Sequence, residues 1–208
     1  MRDNVRAAFV PFTAPLEGVV RWMYADVKGL VTTAIGNLID PLPPGLPFVN
    51  KLTGLAVSED AIRADWQRIK GDASLAKLGH RACERITMLR LTDEGVNQVV
   101  SRKLDEMDRA LAKRFPQWEL WPADAQLATL SMSWACGPAF HFPTLEAALR
   151  SADFGKAATE CHINETGNPG VVPRNKANVV LYRNASFLNE DNAATLYWPA
   201  VLDAPPTD

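Results

Sequence analysis

Residues 16–37 read LEGVVRWMYADVKGLVTTAIGN, and the character of the chain changes inside them. Glu17 ends a helical pattern and Gly18 is a helix stop directly after it. From Trp22 to Gly36 the β-branched residues Val27, Val31, Thr32, Thr33 and Ile35 gather around the turn signal Lys28-Gly29, which predicts a hairpin over 22–36. A helix running into a small hairpin, followed by helical sequence, predicts an α+β, predominantly helical fold.

The same stretch carries three polar side chains at a usable spacing. Eight residues separate Glu17 from Asp26, and five more separate Asp26 from Thr32. Two carboxylates flanking a glycosidic bond can cleave it, one as acid and one on the side of the attacking water. A hydroxyl beside the second carboxylate helps hold that water. The acid role requires a carboxyl that keeps its proton near neutral pH, which partial burial against apolar walls promotes; Leu16, Trp22 and Tyr24 are the local wall residues. Without that chemistry, Glu17 is a surface charge at a helix end and Asp26 a turn residue.

Glu17-Gly18, Tyr24-Ala25-Asp26, Gly29, Thr32, Ile35 and Gly36 together resemble the signature of phage-type lysozymes, the muramidases of glycoside hydrolase family 24. Ala34 stands where that family usually has glycine and Asn37 where it often has histidine; alanine tolerates a positive φ poorly. The resemblance implies a lysozyme-like fold, with a small N-terminal sheet lobe and a helical C-terminal lobe joined by a long helix. It also implies hydrolysis of the β-1,4 bond between N-acetylmuramic acid and N-acetylglucosamine, with inversion. Glu17 is then the general acid, and Asp26 and Thr32 position the water. Tyr24 and Asn37 are candidate glycan contacts, and no cofactor is needed.

A second, weaker resemblance lies in GNPGVVPRNKANVVLYRNA, where Gly170, Pro173, Arg174, Asn175, Tyr182 and Arg183 match a closing motif of that family. One reading sets Arg174 and Asn175 at the edge of the glycan site; the other has Arg174 brace the start of a helix.

At 208 residues the chain suffices for one domain in two lobes, about 1–91 and 92–208. A net charge of −2 gives no argument for nucleic acid or an anionic membrane as partner. Cys83, Cys136 and Cys161 form no CxxC, and free buried thiols or a single disulfide are the readings left open. His80 with Cys83, and Cys161 with His162, lack the further ligands a zinc site needs, so no metal is expected. No apolar run reaches the roughly 18 residues of a membrane helix. The N-terminus MRDNVRAAFVPFTAPLEG lacks a signal-peptide core. The expectation is a monomer made in the cytoplasm that reaches peptidoglycan glycan strands, in the periplasm or cell wall of a target bacterium, through holin-type release or secretion machinery. An immunity protein is a candidate partner, and a phage lysin, a colicin-like toxin domain and a secreted antibacterial effector all fit. The abrupt start and the lack of a wall-binding repeat leave open a place within a longer polypeptide.

Elsewhere the patterns are helical. Segments 2–10 and 13–17 predict short helices on either side of Pro11, with Thr13 as an N-cap. PLPPGLPF, residues 41–48, predicts a rigid extended connector. Ser58 caps a helix whose apolar face is Ile62, Trp66 and Ile69. A helix from about Ser74 buries Leu75, Leu78, Cys83 and Ile86. Thr92 caps a long helix with Val96, Val99, Val100, Leu104, Met107 and Leu111 inward and an ordinary charged outer face. Pro122 opens and Gly137 ends a helix with Leu127, Leu130, Met132 and Trp134 in the core. Helices follow near 143–151, 153–161 and from Arg174 onward, and the tail APPTD reads as loose.

Two other activities fit the same residues. A lytic transglycosylase uses Glu17 alone as acid and base and closes an anhydro ring without water. A non-catalytic glycan-binding module keeps the scaffold without turnover. An amidase or peptidase fits less well, because no zinc set or Cys-His-Asp set is recognisable.

Overall fold

A computed structural model describes residues 1–206; Thr207 and Asp208, the end of the tail read as loose, lie outside the described residues. In chain order the elements are α1 (Asp3–Glu17), β1 (Val20–Ala25), β2 (Val31–Ala34), β3 (Asn37–Leu38), β4 (Phe48–Asn50), α2 (Glu59–Gly71), α3 (Leu75–Leu78), α4 (His80–Ile86), β5 (Leu89–Leu91), α5 (Asp93–Arg114), α6 (Ala123–Cys136), α7 (Pro143–Arg150), α8 (Phe154–Glu160) and α9 (Val172–Ser186). With 54% helix and two small antiparallel sheets, the protein is α+β and predominantly helical.

The chain divides into two compact units, one of Glu17–Lys103 and one of Met1–Leu16 with Leu104–Asp208. This differs from the boundary expected near residue 91. The first sixteen residues belong with the C-terminal helices, and the first half of α5 belongs with the sheets.

In the unit of Glu17–Lys103, β1, β2 and β3 form an antiparallel sheet in that order. Tyr24 faces Thr32, Ala25 faces Val31 and Val20 faces Ala34. The ladder advances from 20 to 24 on β1 but only from 34 to 32 on β2, a bulge that bends β1 around Trp22. The β1–β2 turn closes through Gly29 N–H to Asp26 O at 2.9 Å, with Gly29 at φ +74°. The β2–β3 turn holds Ala34 at φ +53° and Gly36 at φ +69°, so a side-chain-bearing residue occupies a left-handed position there.

α2 and α4 pack against β1. Ser58 caps α2 as expected, its Oγ accepting from Ala61 N–H at 3.3 Å, and the half-buried Trp66 donates to Ile39 O at 2.9 Å. The single helix expected from Ser74 is two, α3 and α4, separated by Gly79 at φ +78°. That break buries Leu75 and Cys83 but leaves Leu78 65% exposed and turns Ile86 outward as well. β4 and β5 pair antiparallel, Phe48 with Leu91 and Asn50 with Leu89. The connector before β4 is held by Arg102, which donates to Pro44 O at 3.0 Å and to Gly45 O, while Gly45 N–H donates to Glu59 at 2.8 Å.

A buried knot joins α2 to the start of β5. Asp65 takes Arg68 on one carboxylate oxygen and the Thr87 hydroxyl on the other, and Thr87 Oγ1 accepts from Leu89 N–H at 3.1 Å. Thr92 caps α5 through Gly95 N–H at 3.0 Å, and all six apolar residues expected inward are buried.

In the other unit, α1 is one continuous helix with Pro11 and Pro15 inside it, not two short helices. Thr13 is buried rather than capping. Burial of Val5, Phe9 and Phe12, together worth about 5–9 kcal/mol, offsets the roughly 3 kcal/mol that each interior proline costs. Phe9 packs on Trp134 and Phe12 on Trp198, with centroids 4.9 and 5.1 Å apart. α6 is buried on every side from Ala123 to Trp134, polar residues included. Its Asp124 accepts from Asn184 Nδ2 at 3.0 Å, Tyr197 N–H at 2.9 Å and Trp198 N–H at 3.1 Å. The three thiols are free, Cys83 and Cys161 buried and Cys136 exposed. Among the described residues no helix is long and apolar enough to cross a membrane.

Candidate functional site

Glu17, Tyr24, Asp26 and Thr32 all fall in the unit of Glu17–Lys103. Glu17 is the last residue of α1, and Gly18 at φ +76° turns the chain directly into β1. That turn leaves the Glu17 carboxylate over the β2–β3 turn, a Cβ placed on Gly36 lying 4.0 Å from Glu17 Oε2. It is exposed rather than partly buried against Leu16, Trp22 and Tyr24 as expected, because Gly18 carries the chain away at once.

Tyr24 lies within the electrostatic reach of both carboxylates. Burial raises its phenol above the ordinary value, and the negative charges of Asp26 and then Glu17 push it further. Both carboxylates therefore act electrostatically on one hydroxyl, which stays protonated at neutral pH and can donate a hydrogen bond. Thr32 sits directly opposite Tyr24 on β2, and residues so paired share a face of the sheet with Cβ atoms about 5 Å apart.

Two of these side chains also serve the turn. Asp26 Oδ1 accepts from Lys28 N–H at 2.8 Å and Leu30 N–H at 2.9 Å. Thr32, only 5% exposed, donates from Oγ1 to Leu30 O at 3.4 Å. The turn reading of Asp26 thus holds at Oδ1, which anchors the hairpin, while Oδ2 makes no hydrogen bond among the described residues.

The remaining candidates are placed differently. Asn37 is 2% exposed; its Oδ1 accepts from Ile35 N–H at 3.2 Å and its Nδ2 donates to Val99 O at 3.4 Å. It braces the tight turn behind Gly36, which corrects its assignment as a glycan contact. Arg174 and Asn175 belong to the other unit, and both are buried. Arg174 Nη1 donates to Ser131 O at 3.1 Å and Ser131 Oγ at 2.8 Å, bonds that brace the start of α9 against α6. Asn175 accepts from Ile163 N–H at 3.0 Å and donates to Ile163 O at 2.8 Å and Glu165 at 2.9 Å. Its amide holds the 161–165 loop, a correction to the glycan-edge reading.

His80, considered first with Cys83 as a metal pair, turns instead toward β1. Its ring stacks on Trp22 at 5.9 Å and meets Tyr24 edge-on at 6.2 Å, while Cys83 is buried. Sequence reasoning missed this contact because 58 positions separate Trp22 from His80. Among the described residues no group of three or more His, Cys, Asp or Glu is arranged to hold a metal.

A cavity of about 550 Å³ lies in the other unit, between α8, the end of α9 and the following loop, lined by residues such as Pro122, Phe154 and Leu188. It touches none of the candidate catalytic or glycan-binding residues, and its Asp153 Oδ1 is spent capping α8 at Lys156 N–H, 2.8 Å. The chemistry, not the cavity, identifies the candidate site. No protein-family model matches the chain, and no curated protein matches it either.

Proposed function

We propose that the protein is a peptidoglycan-cleaving muramidase on a lysozyme-like scaffold, acting in bacterial lysis or in antagonism between bacteria. The observation that supports the reading is local: Tyr24 and Thr32 face each other across β1 and β2, the Asp26 turn joins those strands, and Glu17 lies over the neighbouring β2–β3 turn.

In this mechanism Glu17 gives its proton to the bridging oxygen as the glycosidic bond breaks. Asp26 offers Oδ2 to the developing positive charge and to the attacking water, while its other oxygen keeps the turn rigid. Thr32 supplies the second contact to that water, and the water's proton passes to the Asp26 carboxylate. Ala34 keeps the β2–β3 turn in the left-handed geometry that brings Gly36 beneath Glu17, at the cost of some backbone strain.

Purified sacculi digested by the native protein, Glu17→Gln and Asp26→Asn, with fragments weighed by mass spectrometry, test the reading. Native protein is expected to release reducing-end muropeptides, and each variant to lose about 10²–10⁴ in rate. Equal release by native protein and Glu17→Gln removes Glu17 from the acid role. A second reading has one specific support: Asp26 Oδ1 and the Thr32 hydroxyl are both engaged with the turn's own backbone. A lytic transglycosylase needs only Glu17, so it predicts anhydro products lighter by one water and a mild effect of Asp26→Asn.

A further inference from the structure

We propose that His80, backed by Trp22 and Tyr24, forms the open ring of a sugar-stacking wall that receives the apolar face of an N-acetylhexosamine ring beside the Glu17–Asp26 pair. The choice of ligand rests on the glycan-cleaving reading above.

The wall is built from two elements that meet for this purpose. The bulge in β1 re-aims Trp22, and its Nε1 donates to His80 O at 2.8 Å, which fixes the indole plane. Gly79 at φ +78° breaks the helix ahead of His80 and sets the imidazole at the start of α4, where it is exposed. The His80 ring lies 28° from the Trp22 plane at 5.9 Å and 69° from Tyr24 at 6.2 Å. Arg90 covers Trp22 with its guanidinium 5.4 Å from the ring and is steadied by Glu84 at 2.5 Å.

Three features separate this cluster from ordinary packing. Its outermost ring, His80, faces solvent, whereas a packing cluster buries its rings. The Trp22 indole behind His80 is fixed in advance by its hydrogen bond and Arg90 by its ion pair, so the backing of the wall needs little ordering on binding. Tyr24 belongs to both groups, its ring against His80 and its hydroxyl under the influence of Asp26 and Glu17. A chain of sugars lying along the wall is thereby led to the carboxylates. A pyranose has one face of C–H groups and an equatorial rim of polar groups, which suits a wall of fixed aromatic rings with donors at its margin. Arg90 provides those donors.

The test uses the full-length Glu17→Gln protein, which binds without cleaving, titrated with chitohexaose and followed by calorimetry and by histidine and indole NMR signals. Saturation of the His80 and Trp22 signals is expected, with affinity falling about two- to tenfold in the additional His80→Ala variant and returning in His80→Phe. With Glu17 intact, His80→Ala raises KM by the same factor and leaves kcat unchanged. Unmoved ring signals, or equal affinity with and without His80, overturn the proposal. If chitohexaose binds at the rings but native protein releases nothing from sacculi, cleavage fails and the wall stands. If sacculi are digested with KM unaltered in His80→Ala, cleavage stands and the wall fails.

Discussion

Replacing Thr87 with valine tests whether the buried knot at Asp65 organises the sheet-bearing unit. Thr87 and Asp65 are both buried, and valine matches threonine in shape, so no cavity forms and only the hydroxyl is lost. Two partners are then stranded. One Asp65 oxygen loses its donor, worth about 1.5–3 kcal/mol for a bond to a charged group, and Leu89 N–H loses its acceptor, worth about 1–3 kcal/mol. Arg68 remains on the other Asp65 oxygen, and local relaxation admits some water, so the low end applies: about 3 kcal/mol. Thr87→Ser makes the opposite trade, keeping the hydroxyl and discarding a methyl group for about 1 kcal/mol. Urea unfolding of both variants, with amide exchange at Leu89 as a local probe, reads the difference. Valine is expected to be the worse substitution by about 2 kcal/mol, with an unchanged dependence on denaturant. If serine destabilises more than valine, volume rather than hydrogen bonding holds this junction and the reasoning is wrong.

Burial raises the Asp124 carboxyl above its ordinary range, although its three N–H partners pull the other way. A raised folded-state value means stability is fully present below the unfolded value of about 3.9 and is lost as pH rises through the folded value. The urea midpoint should fall across that window in the native protein and lose this slope in Asp124→Asn; a midpoint that rises there contradicts the assignment. Burial pushes the Cys161 thiol up to about 12 and encloses Cys83, so a thiol reagent should modify exposed Cys136 rapidly and the other two only on unfolding. Two fast thiols in native protein refute this. At Ala34, glycine relieves roughly 1–2 kcal/mol of left-handed strain but sacrifices a buried methyl of about 0.8 kcal/mol and adds chain entropy of about 0.4–1 kcal/mol. Ala34→Gly should therefore lie within about 1 kcal/mol of native stability, while Ala34→Val should be markedly worse, as thermal unfolding of the pair will show.

Local signals were the legible ones. Ser58, Thr92, Pro122 and Gly137 mark helix ends through their own backbone and side-chain chemistry, and Gly18 and Gly29 mark turns that need positive φ. Each depends on neighbours within four residues. The misses are non-local. β4 and β5 have three residues each and pair across about forty positions, too short to carry a period of two. The prolines of α1 suggested a break because propensity speaks before packing does, and the aromatic face then overrode them. Helix α6 shows no polar face, since Gln126, Thr129 and Ser131 find partners inside the protein. The placement of Glu17 at a helix end, and of Tyr24, Asp26 and Thr32 on the hairpin after it, was legible from spacing and glycines. Asn37 and Asn175 were misread because an amide that locks a turn and one that greets a ligand are the same residue in sequence. His80 was hidden by distance along the chain.

The helical unit is interrupted: residues 1–16 belong with residues from 104 onward, while 17–103 form the other unit as one uninterrupted run. On a ribosome adding about 5–20 residues per second, α1 emerges roughly 5–20 s before the segments that cover Val5, Phe9 and Phe12. During that interval its greasy side has no home, while the sheet-bearing unit is made in full and can fold by the interval's end. Until residues from 104 onward are made, the nascent chain thus carries a sticky helix, a natural target for chaperones and a place where slowed translation should produce aggregates.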